Sequence, residues 1–263
     1  MTGQNFDLKE EIRTYWSDRA ATFDDSASHK IEDQFGRPNW QAFFRQAMDL
    51  SAIEDMDGLK VLDLACGTGE ISRMLCSLGA DVIGLDFSEA MHAIAKTKLE
   101  GRMWKPLLCD AENLAPLADD SFDFATTRHL AWTLTNPTAA YAEWFRVLKP
   151  GGRLLVNDGN WAQSLSRRHR TRRWIANLLS QETMRSAEDQ KNDAAIRGRL
   201  PYSNGLTASK LIEDITSQGF DYVSTLDVAP LYRQGMRAWP LTTRLRQSSE
   251  NRFAIVFEKA THD

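Results

Sequence analysis

The stretch VLDLACGTGE, from Val61 to Glu70, decides the fold class of this chain. It begins as an apolar run typical of a buried strand, and Gly67 and Gly69 then precede a helical pattern. Glycine lets the backbone come close to a ligand and adopt dihedral angles that a Cβ atom excludes. A strand, a glycine turn and a helix in this order predict a turn that a ligand can approach closely, and further residues must indicate which ligand.

Short strand patterns recur along the chain, and helical patterns separate most of them. Strands that alternate with helices form parallel sheets in α/β folds. Two more strand patterns follow near the C-terminal end. The predicted strands are Lys60–Leu64, Asp81–Asp86, Trp104–Cys109, Phe122–Thr127, Arg153–Asn157, Phe220–Val228 and Arg252–Lys259.

The two ends of the chain differ from this central pattern. Apolar residues at helical spacing predict two N-terminal helices, Leu8–Phe23 and Trp40–Leu50, with Asn39 as the cap of the second. A polar, partly helical stretch after the fifth strand indicates an insertion or lid. The predicted division is a helical cap over residues 1–57, a core over 58–159, a lid over 160–206 and the C-terminal part of the core sheet over 207–263.

Composition places the chain among ordinary globular proteins. With 263 residues it can bury a full core, and its formal net charge of −4 argues against a general nucleic-acid binder. No apolar run approaches the roughly 18 residues of a membrane span, and the start lacks the apolar centre of a signal peptide. Cys66, Cys76 and Cys109 form neither a disulfide framework nor a metal knuckle, so we expect reduced thiols and a cytoplasmic protein.

Two carboxylates indicate the class of ligand. Asp86 ends the second strand, 19 residues beyond Gly67, where a carboxylate can accept hydrogen bonds from both hydroxyls of a ribose. Asp63 lies inside the first strand and is costly to bury unless a cation such as an amino-acid ammonium pairs with it. Ser72 stands where a dinucleotide fingerprint has its third glycine, which favours a nucleoside ligand over NAD or FAD.

Five motifs follow one another in a known order: DLACGTG at 63–69, LDFS at 85–88, CDAENL at 109–114, SFDFATT at 121–127 and RVLKPGGRLLV at 146–156. Together they resemble the class I S-adenosylmethionine-dependent methyltransferases, especially the small-molecule enzymes of the ubiquinone/menaquinone-biosynthesis type. The resemblance covers residues 58–158. It implies a Rossmann-like, seven-stranded, mostly parallel sheet with an antiparallel last strand. It also implies S-adenosylmethionine as the cofactor, S-adenosylhomocysteine as its product, and a small-molecule acceptor methylated at an O, N or S atom.

The same resemblance assigns the cofactor contacts. It implies Gly67 and Gly69 under the methionine part, Asp63 and the Ala65 carbonyl near the ammonium group, and Asp86 at the ribose. It implies further contacts around the adenine from Phe87, Met91, Asp110, Ala111 and Glu112. Ordinary turn, core-packing and strand-end roles are the alternatives for these residues.

The fourth predicted strand ends in the segment FATTRHLAWTL, and ligands of α/β folds sit outside the carboxyl ends of strands. His129 is therefore the candidate base or substrate-orienting residue, since imidazole titrates near neutral pH. A hydrogen-bonded or cofactor-contacting histidine is the alternative. Arg128 is a candidate partner of the cofactor carboxylate or of an anionic substrate, with a surface ion pair as the alternative. The segment lacks a carboxylate cluster and the histidines lack metal-binding spacing, so we expect no metal.

Acceptor specificity is expected from the additions to the core. Part of the first helix resembles a segment that closes over the cofactor in such enzymes, although packing of an amphipathic helix explains it equally well. Aromatic residues near the strand ends predict a wall that favours a cationic or planar acceptor. The candidate acceptor residues are Trp16, Arg19, Trp132, Asn157, Trp161 and Tyr202, and Tyr15 is placed on the cofactor side.

The run SRRHRTRRW at 166–174 holds five arginines. Arginines attract RNA through its phosphates, although a solvated face of a lid helix is the simpler interpretation. An RNA methyltransferase that uses this arginine run is one alternative to a small-molecule methyltransferase. The others are an NAD(P)-linked oxidoreductase and a cofactor-binding protein without catalysis. No membrane partner is expected, and the oligomeric state stays open between monomer and homodimer.

Overall fold

The computed structural model describes residues 3–52, 56–162, 167–179 and 193–261. The strands are β1 (Lys60–Leu64), β2 (Asp81–Asp86), β3 (Trp104–Leu108), β4 (Phe122–Arg128), β5 (Leu148–Gly159), β6 (Phe220–Leu226) and β7 (Arg252–Lys259). The helices are α1 (Gly3–Asp18), α2 (Gly36–Met48), α3 (Glu70–Cys76), α4 (Glu89–Lys98), α5 (Pro137–Val147), α6 (Arg167–Leu179), α7 (Ala208–Thr216), α8 (Ala229–Arg233) and α9 (Leu241–Gln247). Two 3₁₀ turns, Ala20–Asp25 and Ala131–Thr133, and a helical segment at 193–197 complete the described elements.

The seven strands form one sheet in the order β3-β2-β1-β4-β5-β7-β6. Strands β1 to β5 pair in parallel, whereas β7 runs antiparallel to both of its neighbours. The predicted mostly parallel sheet with a reversed last strand is therefore confirmed. The direction of the crossovers changes between β1 and β4, and in open α/β sheets such a switch point opens a crevice for ligands.

Side-chain alternation along β1 divides the core between the two faces of the sheet. Val61 packs in one cluster with Trp40 and Phe44 of α2. Leu62 packs in the other cluster, which contains the fully buried Trp144 of α5. Successive strand residues point to opposite faces of the sheet, so alternate apolar residues pack against the two different layers of helices.

Helix starts are set by local side chains, with one difference from the sequence prediction. Ser88 accepts the Met91 N–H before α4, and Thr207 accepts the Lys210 N–H before α7, as N-caps do. The predicted cap Asn39 was wrong, because α2 already begins at Gly36. The Asn39 side chain lies inside the helix and donates to the Phe35 carbonyl at 2.7 Å.

Strand β5 begins five residues earlier than the Arg153 predicted from the sequence. Leu148 already pairs with Phe122, and Arg153 is the next residue to pair, with Phe124. The residues between them, 149–152, form an irregularity in the ladder. The Lys-Pro-Gly-Gly segment is thus a bulge within the strand.

The predicted lid over residues 160–206 lies partly outside the described residues, at 163–166 and 180–192. Its described part contains α6, which packs against α9, and the helical segment at 193–197. Across the described ranges, no helix is both long and apolar enough to cross a membrane.

Candidate functional site

The glycine turn after β1 has a backbone conformation that few side chains tolerate. Gly67 and Gly69 have φ angles of +55° and +83°, and Ala65 before them has a φ of +56°. A Cβ atom on Gly69 would lie 2.8 Å from Leu99 Cδ1 and 3.2 Å from Ala95 Cβ. Glycine at this position therefore lets α4 pack closely against the turn.

Two buried carboxylates lie beside this turn. Asp86 accepts the Gly67 N–H at 2.9 Å and the Ser88 N–H at 2.8 Å, and Asp63 accepts the Ser72 hydroxyl at 2.6 Å. Burial raises the pKa of both carboxyls to about 6. Among the described residues neither of them forms an ion pair. A ligand that brings a positive charge and hydroxyl donors would stabilise both ionised groups.

A cavity of about 90 Å³ opens above the turn at the carboxyl ends of β1, β2 and β4. We call it the inner cavity. The residues expected to hold the amino-acid, ribose and adenine parts of a nucleoside cofactor meet in its walls. Those that line it are Asp63, Ala65, Gly67, Asp86, Phe87, Met91 and Arg128.

Residues 20–33, which we call the strap, cover the glycine turn. Phe23 lies over Gly67 at van der Waals distance from the position of a Cβ atom. The Phe23 ring also stacks on the His29 ring, with 3.8 Å between centroids and 7° between planes. Both rings line the inner cavity, although sequence reasoning did not assign them to the site.

An ionic latch holds the strap on the core. Lys98 of α4 donates to Asp24 of the strap at 2.6 Å and to Glu70 at 2.8 Å. Glu70 also accepts the Ile31 N–H of the strap at 2.9 Å. Because the Glu70 side chain is only 6% exposed, these contacts are screened little by solvent. The latch thus ties both ends of the strap to the start of α3.

Arg128 and His129 follow at the carboxyl end of β4. Arg128 donates to the His29 carbonyl at 2.6 Å and lies 5.4 Å from the Trp40 ring centroid. It forms no ion pair with any described residue, so the alternative of a surface ion pair was wrong. His129 has a φ of +64°, and its buried Nε2 has no hydrogen-bond partner. Desolvation, followed by the charge of Arg128, holds the pKa of His129 well below its ordinary value, so the ring is neutral at pH 7.

A second cavity, of about 550 Å³, adjoins the first. We call it the outer cavity. The two cavities share Trp16, Phe23, His29 and His129, which therefore form the boundary between them. Four further residues predicted from the sequence line the outer cavity, namely Tyr15, Arg19, Trp132 and Trp161.

Asp158 holds the aromatic wall of the outer cavity in place. Its carboxylate accepts the Trp161 indole N–H at 3.1 Å and the Trp132 backbone N–H at 3.3 Å. Burial raises the pKa of Asp158 to about 7. Although Asp158 is adjacent in β5 to the predicted residue Asn157, its part in orienting the two tryptophans is visible only in the folded chain.

Three residues predicted at the adenine lie away from the walls of both cavities. Lys9 of α1 pairs with Asp110 at 2.5 Å and with Glu112 at 2.8 Å. Ala111 accepts the Trp144 indole N–H through its carbonyl at 2.9 Å. In the described structure these three residues therefore contact α1 and α5.

Tyr202 and Asn157 also stand apart from the predicted acceptor site. The Tyr202 hydroxyl donates to Asp214 of α7 at 2.8 Å and lies 3.2 Å from the Tyr141 hydroxyl. Asn157 is 1% exposed, and both polar atoms of its side chain lack a partner. In the described structure the aromatic wall includes Trp132 and Trp161 but not Tyr202, because Tyr202 is anchored against α7.

No group of three or more His, Cys, Asp or Glu side chains suited to a metal ion occurs in the described ranges. The cysteines Cys66, Cys76 and Cys109 are free thiols. Desolvation raises the pKa of the Cys66 thiol well above its usual range, so this thiol is protonated beside the glycine turn.

Comparison with known proteins agrees with the fold. Residues 62–156 match the family model described as a methyltransferase domain. The central part of this chain therefore resembles a methyltransferase domain. Over 149 residues it is 34% identical to the demethylmenaquinone methyltransferase of Paenarthrobacter aurescens, covering 57% of this chain and 55% of that protein. Over 122 residues it is 37% identical to the ubiquinone/menaquinone biosynthesis C-methyltransferase UbiE of Paraburkholderia phymatum, covering 44% of this chain and 48% of that protein.

A solved structure supports the fold of this chain. The S-adenosylmethionine-dependent methyltransferase from Mesorhizobium loti superposes with a TM-score of 0.55 at 20% identity, covering 80% of this chain and 97% of that one. The chain spans about half the length of the curated relatives it matches. The region matched by the family model, residues 62–156, includes the glycine turn, Asp86 and the end of β4, whereas most of the outer-cavity wall comes from residues outside it.

Proposed function

We propose that this protein is an S-adenosylmethionine-dependent methyltransferase that acts on a small molecule and releases S-adenosylhomocysteine. The observation that carries the proposal is the pair of adjoining cavities. The inner cavity contains the glycine turn with two buried carboxylates, and it meets the outer cavity at His29 and His129. Such an arrangement suits two ligands that must react with each other at a shared boundary.

The residues of the inner cavity fit this cofactor. Asp63 offers its buried charge to the ammonium group, and Asp86 offers free lone pairs to the ribose hydroxyls beside the two N–H groups it already accepts. Phe87 and Met91 supply apolar surface for the adenine. When bound, S-adenosylmethionine supplies a methyl group made electrophilic by the sulfonium charge. Alignment of the two reactants is worth on the order of 7–11 kcal/mol, so positioning supplies much of the rate.

His129 is proposed to orient the acceptor and to hold its proton. The support is the position of the ring in both cavity walls and the unpaired, buried Nε2. A neutral imidazole can accept a hydrogen bond from an acceptor hydroxyl, amine or thiol. The pKa of His129 lies well below its ordinary value, so the ring is a weak base. Orientation of the acceptor is therefore favoured over strong base catalysis.

The atom that receives the methyl group is proposed to be O, N or S. One of the two relatives described above extends this range, since it is a C-methyltransferase. A screen of acceptors for this chain therefore includes carbon nucleophiles such as electron-rich phenols and quinols. The three free thiols are compatible with a reducing compartment, and we propose a cytoplasmic location on that basis.

Residues 160–206 are proposed to serve the acceptor. Support comes from three of their described members, Trp161, Arg173 and Arg197, which line the outer cavity and not the inner one. The predicted division into a cap, a core, a lid and a C-terminal part of the sheet is retained as part of this proposal.

Calorimetric titration with S-adenosylmethionine, S-adenosylhomocysteine and NADH in parallel tests the proposed function. We expect micromolar binding of the two sulfur nucleosides and no binding of NADH. Transfer of labelled methyl groups to a panel of acceptors then tests turnover. Binding of NADH alone would replace the proposal by an oxidoreductase, and binding without transfer to any acceptor class would leave a cofactor-binding protein. RNA affinity that falls steeply with salt would favour the nucleic-acid alternative.

A further inference from the structure

The walls of the outer cavity carry an excess of positive charge. Four arginines and two carboxylates line it, namely Arg19, Arg173, Arg197, Arg252, Asp193 and Glu250. Asp193 pairs with Arg197 at 2.8 Å, and Glu250 pairs with Arg252. Both carboxylates are thereby neutralised by neighbouring arginines. In the described part of the chain Arg19 and Arg173 have no carboxylate partner, so two positive charges remain.

The aromatic faces of the same cavity are already occupied by cations of the chain itself. Arg197 lies 4.5 Å from the Trp132 ring centroid, and Arg252 lies 5.6 Å from that of Trp161. Arg19 lies 5.3 Å from the Tyr15 ring centroid. Each of these contacts is a cation–π interaction. A cationic acceptor would meet like charge at each ring, so of the two expected acceptor types, cationic and planar, these contacts favour the planar one.

Arg252 adds a buried donor to this charge. Its side chain is only 2% exposed, and its Nε–H has no hydrogen-bond acceptor. An unpaired buried donor is costly, and an oxygen atom of a ligand would satisfy it. The two boundary histidines do not contribute charge, because desolvation lowers the pKa of His29 to about 4 and holds the pKa of His129 well below its ordinary value. The positive charge of the cavity therefore comes from arginine and persists at all physiological pH values.

We propose that the outer cavity binds a methyl acceptor with a carboxylate or phosphate group. Arg19 and Arg173 supply the charge that selects the anion, Arg252 supplies a buried N–H donor, and the indoles of Trp132 and Trp161 contact the planar part of the molecule. Guanidinium groups suit this role since their planar N–H fork matches the geometry of carboxylate and phosphate oxygens. The inference rests on the proposed function and specifies its acceptor class.

Four naphthalene probes test the charge preference: 2-naphthoate, 2-naphthyl phosphate, the neutral 2-naphthamide and the cationic 2-naphthylmethylammonium. Quenching of tryptophan fluorescence measures their affinity for the full chain, with and without S-adenosylhomocysteine. We expect at least one anion to bind tenfold or more tightly than the amide, and the cation to bind most weakly. The better of the two anions identifies the oxyanion that the site prefers. Equal affinity of both anions and the amide, or tightest binding of the cation, would overturn the proposal.

Variants of the two unpaired arginines locate the effect. Arg19→Gln and Arg173→Gln are each expected to reduce anion affinity about three- to tenfold and to leave affinity for the amide unchanged, whereas Arg19→Lys retains most of the preference. Arg167→Gln is the matched control on α6, because Arg167 does not line the cavity. Calorimetry with S-adenosylmethionine separates the two proposals. A chain that prefers the anion but binds no sulfur nucleoside refutes the proposed function alone. A chain that binds the nucleoside without an anion preference refutes this inference alone.

Discussion

Replacement of Asp86 by asparagine should weaken cofactor binding while leaving the folded state about as stable as before. The Asp86 carboxylate lies at the end of β2 and accepts two backbone N–H groups, from Gly67 and Ser88. Asparagine has nearly the same shape but offers one oxygen and one NH₂ group in place of two oxygens. The change therefore removes charge and one acceptor without leaving a cavity.

The expected effect on stability is a difference between two terms. Burial raises the pKa of Asp86 from 3.8 to about 6, so the ionised group costs the folded state about 3 kcal/mol at pH 7. This cost is present in full above pH 6 and disappears as the pH falls toward 3.8. Asparagine removes the cost but leaves one N–H without an acceptor, which costs about 1–3 kcal/mol. We expect the free energy of unfolding to change by less than about 2 kcal/mol in either direction.

The expected effect on binding is larger. Loss of charge-assisted hydrogen bonds to a ribose costs roughly 1.5–3 kcal/mol, which corresponds to S-adenosylmethionine affinity about 10- to 150-fold weaker. Calorimetry measures the affinity, and urea unfolding measures the stability. Asp81→Asn, at the opposite end of β2, is the matched control and should change neither quantity appreciably. Unchanged affinity in Asp86→Asn would refute the ribose assignment, and loss of more than about 3 kcal/mol of stability would make Asp86 chiefly a structural cap.

Four further changes test other parts of the site. Gly69→Ala should cost about 1–3 kcal/mol of stability in urea unfolding, because its Cβ would press on Leu99 at a positive φ; an unchanged midpoint would contradict this packing. Lys98→Met should speed dissociation of S-adenosylhomocysteine about threefold or more in stopped-flow experiments by releasing the strap, whereas the exposed Lys96→Met should not. S-adenosylmethionine affinity should fall about tenfold for each of the two buried carboxyls between pH 7.5 and pH 5, because their pKa is about 6 and the cofactor needs the ionised forms. An affinity that does not change with pH would show that the charge of these carboxyls does not contribute to binding. His129→Gln should lower kcat far more than cofactor affinity, and equal losses would make His129 a cofactor contact.

The sheet and the inner cavity could be predicted because their signals are local. The apolar run of β1, the glycine turn and Asp86 at the end of β2 lie close together in sequence, and the parallel pairing of β1 with β2 brings them together. Ser72, noted as a departure from a dinucleotide pattern, turns out to donate to Asp63. Residue type and spacing were sufficient here because each contact follows from one strand–turn–helix unit.

The strap and the outer cavity could not be predicted in the same way. Apolar spacing assigned Phe23 to the first helix, but that helix ends at Asp18 and Phe23 lies in the following 3₁₀ turn, from which it reaches Gly67 across 44 positions of the sequence. Glu112 carries a motif signal, but Lys9 from the first helix pairs with it. Tyr202 is aromatic, as expected for the cavity wall, yet its hydroxyl donates to Asp214 of α7, away from the outer cavity. Contacts between distant segments decide these positions, and one sequence does not encode them locally.

Phe23 and His29 belong both to the strap and to the walls of the two cavities. If the cofactor enters beneath the strap, displacement of Phe23 and His29 removes two walls from the outer cavity. For the proposed methyltransferase we therefore expect ordered addition of substrates, with S-adenosylmethionine binding first and the acceptor second. We also expect the methylated product to leave before S-adenosylhomocysteine. In steady-state kinetics S-adenosylhomocysteine should compete with S-adenosylmethionine and not with the acceptor.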